Sequence, residues 1–515
     1  MRAKQKLKTA VIDIGSNTVR LVMYRYDKNE GLHEFGNIKT VARLRTYILP
    51  NGEMSEEGIR LLAKTLLSFK KILQDYGVTD IQAVATAAVR QATNNEYIAS
   101  RMKEETSIEI NILTEEEEAY LGFLAVSNSM HTPSAVTIDI GGGSTEITMF
   151  NNKKLQKTYS FPFGTVSLKQ NFVSNAVITE EEKEKLRAYV RRQFESIHWI
   201  NEACLPVIAI GGSARNIAQI HQQKIDYPIS GMHQYEMSKK DIDELKKELG
   251  VMTLEQLHQL DGLSSDRADS IVLAIEVFAL LMEIVQTTQF QLSKKGLREG
   301  VIINRILQTD MKALDKYNVF EENARRMAFE YGRSEEEVNT LYTLTEQIYR
   351  ECCHLKLINF NEAHFQLIKK AAKVFAIGEY IELDSASQHT FYLIANQSVV
   401  GMSHVERIKL ALLASYKNRD YFRRFAQPFA TWISREELKE LRDIGALLKF
   451  VYALNVSKRN IVNAVKFARI KGEIHIFVTT KGSAAAEIYE AEKQKKHIER
   501  VFKQYVCIRF TEEGW

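Results

Sequence analysis

The first half of the chain alternates short apolar runs with amphipathic stretches, a pattern typical of proteins that mix strands and helices. Three apolar runs predict strands: residues 9–13, 18–24 and 81–86. Polar residues 27–31 predict a hairpin turn after the second run. Ser55 is expected to cap a helix that extends to about Tyr76, because large apolar side chains recur there at helical spacing. A further helix is expected to begin near Ala88.

The strand pattern then restarts. Three further runs predict strands: residues 135–139, 145–150 and 206–210. A polar turn at residues 151–154 follows the second of them, so this part of the chain repeats its opening. The apolar segment Val272 to Val285 is too short to span a bilayer and contains two glutamates, which favours a buried helix.

The second half of the chain has a different pattern. Residues 311–456 show almost continuous helical periodicity, and apolar runs at residues 473–479 and 505–510 predict two strands in the tail. A length of 515 residues predicts three or four domains. We expect four, with these boundaries: residues 1–125, 126–310, 311–456 and 457–515.

Composition is that of an ordinary soluble protein, with 45% hydrophobic and 26% charged residues. The four cysteines form no CxxC pair, and no apolar signal segment follows the basic N-terminus, so a reduced, cytoplasmic protein is expected. From Gly401 to Trp515, 22 lysines and arginines face 13 aspartates and glutamates, against 47 and 52 in the first 400 residues. A basic C-terminal part indicates either a polyanionic partner or a solvated helical surface.

The strongest chemical feature is a duplicated glycine turn after a buried strand. The two copies, DIGSNT and DIGGGSTE, begin at Asp13 and Asp139. Glycines let backbone amides approach a phosphate, and hydroxyl groups add donors. The candidate phosphate-binding residues of these turns are Gly15, Ser16, Asn17, Thr18, Gly141, Gly142, Gly143, Ser144 and Thr145. Since the aspartates repel phosphate, their expected role is to hold Mg²⁺.

A third glycine turn, at Gly211, Gly212 and Ser213, leads into a helix whose N-terminus suits an anion. The chain has no GxxxxGK[ST] loop, and a strand rather than a helix follows the first two turns, which argues against Walker and Rossmann sites. A single turn of this kind could be an ordinary hairpin. Two matching copies, each after a buried strand, argue against that explanation. The third turn by itself is equally compatible with a plain strand-to-helix connection.

Two charged residues, Glu118 and Arg90, stand apart from their surroundings. Thr114 and Glu117 have the spacing of a capping box, which gives Glu117 a structural role. Glu118 shares a helix face with apolar residues, so it is expected to point inward and could act as a general base. Arg90 is the charged residue in a run of small ones and could hold a phosphate, although a solvated arginine fits the same pattern.

Together these motifs resemble the exopolyphosphatase and guanosine pentaphosphate phosphohydrolase family, of the actin, sugar kinase and heat-shock chaperone ATPase superfamily. The resemblance is carried, in order, by AVIDIGSNTVRL, ATAAVRQATN, TEEEEAYLGF, TIDIGGGSTEI, FPFGTVSL, AIGGSARNI, GLSSDRADSI and GLREGVI. It implies an α/β fold with two ribonuclease-H-like (actin-like ATPase) domains, an HD-derived all-helical domain and a small α+β C-terminal domain.

The resemblance also implies roles for individual residues. Glu118 matches the catalytic glutamate and Arg90 a phosphate-holding arginine, while Asp13, Asp139 and Glu146 are the candidate ligands of Mg²⁺. A monovalent cation such as K⁺ is a further candidate cofactor. The stretch from Ala371 to Glu379 lacks the His-Asp or His-Glu dyad of longer relatives, so the helical domain is expected to bind no metal there. The expected assembly is a homodimer, with neither a membrane nor a nucleic acid as partner.

The function these features predict is removal of the terminal phosphate from inorganic polyphosphate, with Mg²⁺ and a water activated by Glu118. Hydrolysis of guanosine pentaphosphate to the tetraphosphate at the same site is the alternative, and a non-catalytic polyphosphate or alarmone binding protein is another. A sugar or acetate kinase fits less well, because the Glu118 and Arg90 motifs belong to the hydrolase branch. The basic cluster Lys417, Arg419, Arg423 and Arg424 is a candidate for holding a long polymer.

Overall fold

The computed structural model describes residues 7–27, 31–175, 177–309, 314–397 and 399–513. It divides into two compact units. The first comprises Met1–Tyr227 and Met232–Val319, and the second comprises Pro228–Gly231 and Phe320–Trp515. The four domain boundaries expected from the sequence remain predictions.

The first sheet of the first unit has five strands in the order β3-β2-β1-β4-β5. They are β1 Leu7–Ile14, β2 Thr18–Asp27, β3 Gly31–Val41, β4 Asp80–Ala85 and β5 Ile110–Ile112. Strand β1 pairs antiparallel with β2 and parallel with β4, and its central residues Ala10, Val11 and Ile12 are fully buried. The tip of the predicted turn between β2 and β3, residues 28–30, lies outside the described residues, and the strands on either side pair antiparallel.

The second sheet has six strands in the order β10-β11-β9-β6-β7-β8. They are β6 Ala135–Ile140, β7 Thr145–Asn151, β8 Lys154–Phe161, β9 Val207–Ile210, β10 Tyr235–Ser238 and β11 Gln289–Leu292. Strand β6 pairs antiparallel with β7 and parallel with β9, just as β1 pairs with β2 and β4. The repeated sequence pattern is therefore a repeat of strand pairing, and each glycine turn lies at the same place in its sheet.

Eleven α-helices are described in the first unit. They are α1 Glu56–Asp75, α2 Ala87–Arg90, α3 Asn95–Thr106, α4 Glu115–Ser127, α5 Thr165–Phe172, α6 Glu180–Glu195, α7 Gly211–Lys224, α8 Lys239–Gly250, α9 Leu254–Gln259, α10 Ile271–Val285 and α11 Leu297–Thr309. Ser55 caps α1 by accepting a hydrogen bond from the Gly58 amide, as predicted. The predicted apolar helix is α10, which is buried except at Glu283. Among the described residues, no helix is both long and apolar enough to cross a membrane.

Helices α4 and α11 pack against each other and position charged side chains of the site. The start of α4 is fixed by the predicted capping box, in which Thr114 and Glu117 each accept a hydrogen bond from the other's backbone amide. A Cβ atom at Gly300 on α11 would overlap the backbone of α4 at Leu121. Glycine at this position therefore lets the two helix backbones touch.

The second unit is helical up to residue 453 and then forms a small sheet. Its elements, from α12 onward, are α12 Val319–Glu330, α13 Glu335–His354, α14 Glu362–Lys373, α15 Ala386–Asn396, α16 His404–Ala414, α17 Arg419–Ala426, α18 Arg435–Ala453, β12 Val462–Ile470, β13 Glu473–Thr480, α19 Ala485–Phe502 and β14 Val506–Glu512. The sheet order is β12-β13-β14. The predicted helical stretch and both predicted tail strands are present, while residues 311–313 of that stretch lie outside the described part of the chain.

Candidate active site

The two glycine turns close in the same way. The Gly15 amide donates a hydrogen bond of 3.0 Å to the Thr18 carbonyl, and the Gly141 amide donates one of 2.9 Å to the Ser144 carbonyl. In each turn, the hydrogen bond links the end of the central strand to the start of its antiparallel neighbour. The duplicated sequence thus produces two loops of the same construction.

These two loops face each other across a cavity of about 490 Å³ in the first unit. A Cβ atom added at Gly142 would lie only 2.9 Å from the Cβ of Ser16, so the second loop approaches the first as closely as a glycine allows. The sequence-predicted residues that line the cavity are Asp13, Gly15, Ser16, Asn17, Thr18, Glu118, Asp139, Gly141, Gly142, Ser144, Glu146, Gly211 and Gly212.

Four predicted site residues are not part of this lining: Arg90, Gly143, Thr145 and Ser213. The Thr145 hydroxyl donates to the Phe163 carbonyl at 2.7 Å, and the Ser213 hydroxyl accepts from Arg267 at 3.2 Å. Both hydroxyls are thus engaged in holding neighbouring segments in position. Direct contact between these residues and a phosphate stays a prediction.

The third glycine turn approaches the second loop from the side. Gly211 has a φ of +88°, and a Cβ atom there would lie 2.6 Å from the Asp139 carboxylate. The position therefore requires glycine, for its backbone angle and for the space beside Asp139. Helix α7 begins at Gly211, as the sequence predicted.

Glu118 lies in the first turn of α4 and lines the cavity, and Arg90 at the end of α2 holds it from behind. Arg90 Nη1 donates to Glu118 Oε2 at 2.8 Å and to the Leu113 carbonyl at 3.0 Å. Burial raises the pKa of Glu118 to about 7; Arg90 lowers it, and Asp139 and Asp13 raise it further. Arg90 therefore orients the glutamate and favours its ionised form.

Three other carboxylates of the cavity, those of Asp13, Asp139 and Glu146, also have a raised pKa. Burial, and then the charge of Asp13, raises the pKa of Asp139 to about 6. Burial also raises the pKa of Asp13, although its partner Arg298 opposes the effect. The pKa of Glu146 is raised by burial and by the nearby Glu118 and Asp139. Four buried carboxylates that repel one another favour a bound cation.

This donor set fits a hydrated divalent cation better than a fully dehydrated one. Over the described ranges, no three His, Cys, Asp or Glu side chains are grouped so that they could hold a metal ion together. Mg²⁺ usually keeps several waters and is bound through one or two carboxylates and substrate phosphates. The oxygens of Asp13, Asp139 and Glu146 are chemically suited to such an ion.

The sequence predictions missed most of the positive charge of the cavity. Seven cationic residues line it: Arg43, Arg45, Lys169, Arg215, Arg267, Lys294 and Arg298. Arg298 Nη1 donates to Asp13 Oδ2 at 3.1 Å. Burial, with the charges of Arg298 and other arginines, lowers the pKa of Arg215 to about 10. Arg215, Arg267 and Arg298 stand in three of the eight recognised motifs, so the clue was present in AIGGSARNI, GLSSDRADSI and GLREGVI.

The predicted polymer-binding cluster lies in the second unit. Arg419, Arg423 and Arg424 line a surface groove of about 680 Å³ between α17 and the start of α18. Three cationic residues of α18 that the sequence analysis did not single out complete it: Arg435, Lys439 and Arg442. Lys417 is not part of this lining; its ammonium lies over the Tyr421 ring, 5.0 Å from the centroid.

Comparison with known proteins identifies the family. The model of the Ppx/GppA phosphatase family matches residues 22–309, which is more than half of the chain. The model of domain III of Ppx/GppA phosphatases matches residues 315–487. The chain belongs to the Ppx/GppA phosphatase family. The resemblance inferred from the sequence motifs is therefore confirmed.

Individual relatives agree with this assignment. Exopolyphosphatase 1 of Mycobacterium tuberculosis is 27% identical over 307 residues, which are 58% of this chain and 88% of the relative. A bifunctional 3-dehydroquinate synthase/phosphatase of Fusobacterium nucleatum is 26% identical over 281 residues. That match covers 52% of this chain and 42% of the Fusobacterium protein, so this chain spans less than half of that relative.

A solved structure extends the agreement to the fold. The crystal structure of the Aquifex aeolicus member of the Ppx/GppA family is 26% identical, with a TM-score of 0.53. The match covers 59% of this chain and 99% of the Aquifex chain. The predicted fold class, with actin-like ATPase halves followed by a helical region, is confirmed.

Proposed function

We propose that this Ppx/GppA family protein is an exopolyphosphatase, which hydrolyses the terminal phosphate of inorganic polyphosphate. The observation that carries the reaction is the juxtaposition of Glu118 with two glycine loops in one cavity lined by seven cationic side chains. The loops and cations suit the charges of a phosphate chain, and the Glu118 carboxylate can take up a proton. Catalysis would then rest mainly on positioning and charge stabilisation, as in phosphoryl transfer generally.

In the proposed reaction, the Glu118 carboxylate accepts a proton from a water molecule whose oxygen attacks the terminal phosphorus. The bond from that phosphorus to the bridging oxygen breaks, and the shortened chain leaves with the bonding electron pair. Arg90 keeps Glu118 oriented and favours its ionised form through the 2.8 Å hydrogen bond. The loop amides and the cavity arginines stabilise the charge on the transferred group.

A divalent cation, which we propose to be Mg²⁺, would be held near Asp13, Asp139 and Glu146. When bound, such an ion neutralises phosphate oxygens and orients the chain. The mutual repulsion of the buried carboxylates is the feature of this structure that supports it. Arg298 holds one oxygen of Asp13 at 3.1 Å, so this carboxylate would share its charge between the arginine and the ion.

The second cationic groove supports a polymer rather than a single nucleotide as substrate. Within the groove, six cationic side chains accompany one acidic residue, Asp420. The many charges of a long polyphosphate can contact several cations of such a groove at once. The exopolyphosphatase name of the Mycobacterium relative points in the same direction.

Phosphate release from long polyphosphate, guanosine pentaphosphate and ATP, each with Mg²⁺ and with EDTA, tests the proposal. We expect release from long polyphosphate to exceed that from both nucleotides and to stop in EDTA. Faster release from guanosine pentaphosphate would make the protein a guanosine pentaphosphate phosphohydrolase. Tight binding of polyphosphate without release from any substrate would make it a binding protein.

The role of the groove can be tested separately with a charge reversal at Arg423 and Arg424, both exposed on α17. The double change to Glu should weaken binding of long polymer and flatten the dependence of log affinity on log salt, because phosphate contacts are lost. Cleavage of short chains should be unchanged. A double reversal of the exposed Lys493 and Arg500 on α19 is the matched control. Equal losses in both variants would mean that net charge, and not the groove, attracts the polymer.

A further inference from the structure

A second, small cavity lies next to the proposed base, between α4 and the strands β6 and β7. Its volume is about 10 Å³, which is room for about one water molecule. Glu118, Asp139 and Glu146 line it, and the same three carboxylates also line the active-site cavity. The two cavities therefore adjoin each other at these carboxylates. Neither the proposed reaction nor the proposed cation uses the small cavity.

Two threonines line the small cavity on the side of the sheet. Thr137 on β6 and Thr148 on β7 lie opposite each other in the antiparallel pair, and each is only 2% exposed. The next pair along the same face of these strands is Asp139 with Glu146. The two threonine hydroxyls share one hydrogen bond. Since each hydroxyl has one proton, the pair keeps one O–H group that is available to another acceptor.

The small cavity is richer in hydrogen-bond acceptors than in donors. The Glu146 carboxylate accepts from the Ser160 hydroxyl at 3.1 Å, and the Glu118 carboxylate accepts from Arg90 through Oε2. Within the described part of the chain, no donor is bonded to Oε1 of Glu118. A water molecule can accept from the threonine pair and donate to two carboxylate oxygens at once. It therefore matches this excess of acceptors.

We propose that Thr137 and Thr148 hold a water molecule in the small cavity, and that this water orients the Glu118 carboxylate. Arg90 holds Oε2 of that carboxylate, and the water would donate to it from the small cavity. The carboxylate then keeps one direction while substrate occupies the active-site cavity. The inference rests on the proposed role of Glu118 as the base. In it the two threonines are positioning residues, which act on the reaction only through Glu118.

A dehydrated monovalent cation is the competing occupant, because carboxylate and hydroxyl oxygens also bind cations. Two observations favour water. Among the residues that the structure describes, no three His, Cys, Asp or Glu side chains are grouped so that they could hold a metal ion. The remaining O–H group of the threonine pair also needs an acceptor, and a cation offers none.

A crystal structure of the full-length protein, grown without phosphate and measured at about 1.2 Å resolution, tests the occupant. We expect one peak in the small cavity, about 2.6–3.0 Å from a threonine hydroxyl and from a carboxylate oxygen. The peak should be absent in the double variant Thr137→Val/Thr148→Val. An empty cavity in the wild type, or a peak that persists in this variant, would overturn the proposal. A strong anomalous signal at the peak after exchange into Rb⁺ would overturn it in favour of a cation.

Phosphate release by the same double variant tests the positioning role. Both threonines are replaced together, because a single change would leave one buried hydroxyl without its partner, whereas an apolar pair of the same shape is nearly neutral for stability. We expect kcat to fall about ten-fold, as for other residues that orient a reacting group through hydrogen bonds. KM and the half-saturating Mg²⁺ concentration should be unchanged. The double change to Ser keeps both hydroxyls and should restore most of kcat.

Thr158→Val is the matched control, because Thr158 lies opposite Thr148 on β8 and lines neither cavity. It should leave kcat unchanged, and thermal unfolding of every variant should stay close to that of the wild type. Unchanged kcat in the double valine variant would overturn the positioning role, and so would an equal loss in the serine variant or in the control. If the protein cleaves no substrate, the proposed base fails and the positioning role fails with it. The crystal density would still decide whether the threonines hold a water molecule.

Discussion

Replacement of Glu118 by glutamine removes the proposed base while keeping the shape of the side chain. The amide oxygen of glutamine can still accept the hydrogen bond that Arg90 Nη1 now donates at 2.8 Å. Among the described residues, no hydrogen bond joins the glycine loops to Glu118, so the loops should keep their geometry. Glu118→Gln therefore isolates the loss of basicity.

Turnover of polyphosphate by Glu118→Gln should fall by about 10²–10⁴-fold, the usual contribution of a general base. Affinity for the polymer should be unchanged or higher, because a carboxylate in the cavity repels phosphate. Glu117→Gln is the control one residue earlier on the same helix. Its carboxylate accepts from the Thr114 amide at 2.8 Å, so its replacement should cost about 0.5–1 kcal/mol of stability and little rate.

A second measurement on Glu118→Gln tests the electrostatics of the site. The pKa of Glu118 rises from 4.5 to about 7 in the folded protein. The folded state therefore holds the proton more tightly than the unfolded state, and wild-type stability falls as pH rises from about 4.5 to 7. The total is on the order of 3 kcal/mol, since one pKa unit corresponds to about 1.4 kcal/mol. Glutamine does not titrate, so the Glu118→Gln variant does not lose this part of its stability as pH rises.

The assay compares the free energies of unfolding of wild type and Glu118→Gln in EDTA, by denaturant titration from pH 4.5 to pH 8. The difference between the two proteins should shift in favour of the variant as pH rises. Parallel curves would show that Glu118 does not titrate in this way. Full activity of Glu118→Gln, or an equal loss in Glu117→Gln, would refute the general-base assignment.

Three further predictions concern the surroundings of Glu118. Asp13→Asn and Asp139→Asn should each raise the Mg²⁺ concentration needed for half-maximal activity, measured by phosphate release, and an unchanged requirement would make that aspartate structural. Arg90→Gln removes a charge that lowers the Glu118 pKa, so the acid limb of the pH–rate profile should move to higher pH; a fixed limb would contradict this pairing. Gly300→Ala should destabilise the protein by about 1–3 kcal/mol through overlap with the α4 backbone. Gly122→Ala, whose Cβ would meet only Ile210 at 3.9 Å, should instead stabilise α4 by up to about 1 kcal/mol in thermal unfolding, and the same sign for both would refute the packing argument.

Much of the fold was readable because its signals are local. The strands β1, β2, β4, β6, β7 and β9 are short apolar runs that end at turns, and the helices α1 and α4 carry their own caps. Strands β3 and β8 were not predicted, because polar and half-buried side chains dominate them. Strand β12 and helix α19 were missed in the same mixed tail that yielded β13 and β14.

The sequence by itself determined the duplicated loops and the glutamate at the start of α4. Glycines between an apolar strand and a hydroxyl residue permit few other structures, and the capping box places Glu118 in the first turn of its helix. Spacing therefore specified both the candidate phosphate-binding loops and the direction of the candidate base.

Only the tertiary structure decided how charge is distributed around them. Arg215 on α7 and Arg298 on α11 are far apart in the chain, yet both reach the cavity, and Arg90 lies against Glu118 rather than on the cavity surface. In the second unit, the arginines of α17 form a groove only because α18 brings Arg435 and Lys439 alongside. Local sequence patterns determine which segment becomes a strand or a helix. The partners of a buried charge depend on which distant segments pack against it. Burial of the whole core decides which segments pack together.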